Sequence, residues 1–188
     1  YQGNLMFQSY FGNTQHTYTT GVSYMFDRYD EQFQDTSMLR VEHIPGAFFE
    51  YTWTMPDKFT LLLGARADYH NLFGFMFTPR VHFKYDITPK TVMRISAGKG
   101  YRSPTIIAEN LSLLASSRMF VFQEQLTMEE AWNYGINITQ YADIFGRELN
   151  LSAEFYRTDF VNQAVVDRDI DDQSVYIYNL DGKSFANV

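Results

Sequence analysis

Apolar and polar residues alternate with a period of two along most of this chain, over runs too long for an ordinary globular sheet. Across 58–70, one parity carries Phe59, Leu61, Leu63, Ala65, Ala67 and Tyr69, and the other carries Lys58, Thr60, Arg66, Asp68 and His70. Across 80–87, Val81, Phe83, Tyr85 and Ile87 alternate with Arg80, His82, Lys84 and Asp86. The runs 46–55, 90–98, 132–141 and 148–156 repeat the pattern. Successive strand residues point to opposite faces, so such a run makes a sheet with one apolar and one polar side. Several runs reach at least about ten residues, against a usual five or six.

Composition sharpens this reading. Aromatic residues make up 18% of the 188, with 14 Tyr and 17 Phe, yet mean hydropathy is −0.30. Aromatics favour strands, and Tyr and Trp favour membrane–water interfaces. No apolar stretch approaches the roughly 18 residues of a spanning helix. The chain has no cysteine, which excludes disulfides and thiolate metal sites, and its net charge of −7 argues against a nucleic-acid partner. The start has neither the basic region nor the apolar core of a signal peptide.

Turn signals divide the chain into about nine strands, at 2–11, 15–30, 38–55, 58–70, 78–87, 90–99, 128–141, 147–160 and 174–180. Tight connections at 12–14, 56–57, 88–90 and 143–146 alternate with longer ones at 31–37, 71–77, 101–127 and 161–173. Outer-membrane barrels alternate in this way between short periplasmic turns and long extracellular loops. The expected fold is all-β, an antiparallel up-and-down meander of about nine long strands, forming part of a transmembrane β-barrel. Its polar face then lines the lumen, with Arg66, Asp68, His70, Arg80, His82, Lys84, Asp86, Arg94, Asn133, Asn137, Asn150 and Glu154. Tyr51, Trp53, Tyr69, Tyr85, Trp132 and Tyr141 fall near strand ends, where an aromatic girdle belongs. A soluble β-sandwich also alternates, but long strands with an aromatic apolar face fit it less well.

Three segments resemble the TonB-dependent receptors. Tyr101-Arg102-Ser103-Pro104, after the small-residue strand end Ser96-Ala97-Gly98, resembles the aromatic–Arg–small–Pro turn that opens an extracellular loop. Thr78-Pro79-Arg80 resembles the strand start one hairpin earlier, and Glu129-Glu130-Ala131-Trp132-Asn133-Tyr134-Gly135 the strand after the loop. The similarity runs from about residue 46 to 160. The wording of the loop, including Ala108-Glu109-Asn110 and the run at 113–118, is most similar to receptors of the Bacteroidetes group. The resemblance implies an outer-membrane receptor of a Gram-negative bacterium that imports a scarce nutrient, such as a ferric siderophore, cobalamin or another metal chelate. It also implies a 22-stranded barrel of which this chain is part, a plug domain, through which the TonB complex would act, and contact with outer-membrane lipid. The chain, 1–188, is expected to be an interior piece of the barrel domain, inactive alone. The alternative is a barrel acting as an adhesin or scaffold.

Candidate site residues are few. Tyr101, Arg102 and Glu109 stand at the base of an extracellular loop, where Arg102 either meets a ligand or fixes the loop by hydrogen bonds. His70 and His82 are expected on adjacent strands facing the lumen. Asp167, Asp169 and Asp171 place oxygens at alternate positions, as calcium sites do, but the glycine and glutamate of an EF-hand loop are missing. Gly98-Lys99-Gly100 lacks the spacing of a phosphate loop. No nucleophile elbow or catalytic carboxylate pair is recognisable, so neither an enzyme nor a cofactor is expected.

Overall fold

The computed structural model describes the chain apart from residues 34–35, 106–108, 111, 113–117 and 124–125, and the side chains of 31–38. The loop-start residues Ile106, Ile107 and Ala108 and the run 113–117 therefore lie outside the described residues.

Among the described residues twelve strands form: β1 (Gln2–Tyr10), β2 (His16–Phe33), β3 (Thr36–Met55), β4 (Phe59–His70), β5 (Gly74–Thr88), β6 (Thr91–Arg102), β7 (Met119–Phe122), β8 (Glu129–Ile144), β9 (Arg147–Phe160), β10 (Ala164–Asp167), β11 (Ser174–Asn179) and β12 (Ser184–Asn187). Nine join one sheet in the order β1-β2-β3-β4-β5-β6-β8-β9-β12, and β10-β11-β7 form a second. The expected antiparallel meander is present, with three revisions. Residues 31–33 and 36–37 are strand rather than loop, because β2 and β3 pair as far as Phe33↔Thr36. The β4–β5 connection shrinks to 71–73. The ninth strand of the wide sheet is β12, paired with β9, while 174–179 belongs to the second sheet. Period two identifies a strand but not its partner.

The chain divides into two compact units, 1–98 with 134–156, and 99–133 with 157–188. In the first unit, register sorts the side chains into rows. One apolar row runs Tyr18, Tyr51, Leu63, Val81, Ala97, and another Trp53, Leu61, Phe83, Ile95. Among the described residues no layer covers this face: Leu5, Phe7, Val22, Phe49, Leu63 and Phe77 are all exposed. Burying a large apolar side chain stabilises by roughly 1.5–3 kcal/mol, so a face like this requires an apolar surround.

Aromatic rings band the apolar face at both edges. At the turn edge the contacts run Phe11–Tyr18 (4.4 Å), Phe11–Tyr51 (6.4 Å), Tyr51–His16 (6.1 Å), His16–Trp53 (5.6 Å), Trp53–Phe59 (4.8 Å), Phe59–Phe83 (6.1 Å) and Phe83–Tyr85 (6.1 Å). The His16 Nδ1 and Tyr51 hydroxyl lie 2.6 Å apart. At the other edge Phe26, Tyr24 and His43 cluster, with Phe26–His43 at 5.0 Å. Tyr18 to Phe26 along β2 is about 27 Å at ~3.4 Å per residue, which strand tilt brings near the ~25 Å band of a membrane barrel. Tyr141 departs from the expected girdle: strand alternation puts it on the side of Asn137 and Thr139, the polar side.

The second unit holds the small sheet. β10 and β11 are antiparallel, and β11 and β7 parallel. Val175 and Ile177 are fully buried there, packed by Phe120, Leu126, Ala164 and Val166. The two long connections therefore fold together around a dry core of their own.

Candidate functional site

The polar face of the first unit carries most of the residues singled out in the sequence. One row runs Thr19, Glu50, Gly64, Arg80, Gly98. Arg80 reaches across Gly64 to form an ion pair with Glu50, two strands away. A Cβ on Gly64 would meet Arg80 Cγ and Nε at 2.8 Å, so the missing side chain opens the path. In the next rows Arg66 pairs with Asp68 (2.7 Å) and donates to Ser23 Oγ (2.6 Å). Lys84 pairs with Asp86 at 3.0 Å. Arg94 donates to the neutral oxygens of Asn137 (3.3 Å) and Thr139 (3.4 Å), while Asn137 donates to Ser152 (2.9 Å).

The two histidines part company. His82 opens onto a groove of about 620 Å³ whose lining includes Thr60, Lys84, Arg94, Asn137 and Tyr156. His70 is fully buried, its Nδ1 accepting from the Leu72 amide (3.1 Å) and its Nε2 lying 3.5 Å from Glu42. The register pairs His82 with Leu62 and His70 with Gly74, so the two do not share a site. Asn71 seals the turn after His70, bonding the backbone of Val41 and His43.

In the second unit Arg102 holds the loop base. Its guanidinium meets Glu129 at 2.5 Å and Glu109 at 3.5 Å. Glu129, nearly buried, also accepts the Ala164 amide at 2.8 Å, so one carboxylate ties both long connections together. Asn162 adds bonds to the Glu130 amide, Thr127 and the Met128 carbonyl. The sequence marked Arg102 and Glu109 but not Glu129 as their partner; its only signal was a place in the motif of the following strand. Tyr101 turns to the other side, under the Lys99 ammonium (4.8 Å), and Lys99 pairs with Glu130 at 2.8 Å.

The acidic run does not converge. Asp167 accepts the Asp169 amide (2.9 Å), and Asp171 the Gln173 amide (3.1 Å). These are turn bonds made by Asx side chains. The Gln173 backbone bond, aided by Ser174, holds the Asp171 carboxyl below its usual range. Desolvation, with the charge of Asp167, raises the Tyr178 phenol. Among the described residues no three His, Cys, Asp or Glu side chains gather as a metal site.

Comparison with known proteins follows from this geometry. The family model described as "TonB dependent receptor-like, beta-barrel" matches residues 1–186. Curated protein sequences give no match. The siderophore receptor PirA from Pseudomonas aeruginosa is similar with a TM-score of 0.75 at 15% identity, over 100% of this chain and 38% of that one. A variant ferric enterobactin receptor, PfeA, from the same organism in complex with enterobactin gives 0.70 at 15%, over 99% and 32%. PirA from Acinetobacter baumannii gives 0.70 at 14%, over 99% and 33%. The chain thus spans about a third of the length of the solved structures it resembles.

Proposed function

The chain belongs to the TonB-dependent receptor β-barrel family, and on that premise we propose that it is a stretch of barrel wall from an outer-membrane importer of a ferric siderophore or similar metal chelate. That family consists of transport receptors rather than enzymes. The observation that carries the reading is the one-sided sheet of the first unit. Its apolar face is exposed between two aromatic bands, and its opposite face is laced with ion pairs. Such a sheet suits lipid on one side and a polar lumen on the other. In this reading 1–188 is one part of the barrel domain, the tight turns face the periplasm, and the long connections at 101–127 and 161–173 are extracellular. Import belongs to the whole protein, with a plug domain coupling it to the TonB complex. Arg66, Asp68, Arg80, Lys84 and Arg94 line the lumen, and Arg102 with Glu129 sets the position of the outer loops.

The test is uptake of radiolabelled ferric siderophores by a Gram-negative host stripped of its own receptors and expressing the full-length protein. Accumulation that disappears when the TonB gene is deleted is expected. Outer-membrane insertion without TonB-linked uptake of any chelate would overturn the transport reading and favour an adhesin or scaffold.

A further inference from the structure

We draw no further inference here: the strongest candidate, the buried side-chain cluster beneath the β4–β5 turn where His70 Nε2 faces Glu42, makes no ligand site, because Arg40 already holds that carboxylate at 3.0 Å and no third metal-ligating side chain joins the pair among the described residues.

Discussion

The wide sheet of the first unit and the three-stranded sheet of the second treat their apolar residues in opposite ways. In the small sheet Val175 and Ile177 are sealed at 0% exposure by neighbours from the same unit. In the wide sheet Leu5, Phe49 and Leu63 lie 73%, 44% and 44% exposed. Both sheets use alternating strands, so alternation does not decide whether a protein core forms. The small sheet has folded its chain back over its apolar side. The wide sheet leaves that side to its surroundings and spends its own contacts on the polar face. Stability in the first case comes from packing, and in the second from ladder hydrogen bonds, cross-strand pairs and the solvent outside.

This contrast can be broken by substitution. The largest effect is expected from Ile177→Ala, which removes a fully buried side chain from a core with few members. A loss of about 2–5 kcal/mol should unfold the small sheet. Hydrogen exchange should show the amides of β10 and β11 exposed while those of β3–β5 stay protected. Protection lost in both sheets would mean that they fold as one unit.

Next is Leu63→Arg, which puts a charge on the apolar face at mid-strand. In a bilayer it should cost about 2–4 kcal/mol, read as a lowered denaturation midpoint in lipid vesicles. Leu62→Arg, one residue away on the polar face, should cost far less. Equal costs would contradict the assignment of the two faces.

A smaller effect is expected for Gly64→Ala. Its Cβ would press on Arg80 and displace it from Glu50. The pair is partly exposed, so the loss should be about 1 kcal/mol or less. A double-mutant cycle with Glu50→Gln should show that loss shared between the two sites.

The smallest effect concerns pH. Asp171 has a folded pKa below its unfolded value because the Gln173 amide binds its ionised form. Its contribution is present above the unfolded pKa, about 3.9, and is lost as pH falls through the lower folded value. The Gln173 amide should lose exchange protection over that acidic window, and Asp171→Asn should flatten the response.

Face assignment was legible in the sequence almost residue by residue. Arg66, Arg80, Lys84 and Arg94 fall on the polar side as the alternation required, and Tyr51, Trp53 and Tyr85 on the apolar side. Strand ends were less legible. The stretch 31–37 looks like a polar loop because few of its residues are apolar, yet ladder pairing reaches Phe33 and Thr36. Parity puts His70 on the polar face but does not report its burial, which comes with the Phe73 ring 4.8 Å away and the Leu72 amide bonded to its Nδ1. Arg102 was flagged, while its carboxylate partner Glu129 lies across a connection of more than two dozen residues.

Alternation and turn residues alone dictate that this chain makes long antiparallel strands with one apolar and one polar face. The reason is local: tetrahedral carbons send successive side chains to opposite sides, and short turns pair neighbours along the chain. Long-range folding sets the rest: β12 rather than β11 follows β9, β7 runs parallel to β11, and Arg80 crosses Gly64 to Glu50. Those choices join residues far apart in sequence. They depend on loop closure and on which apolar sides find each other, and alternation holds no record of either.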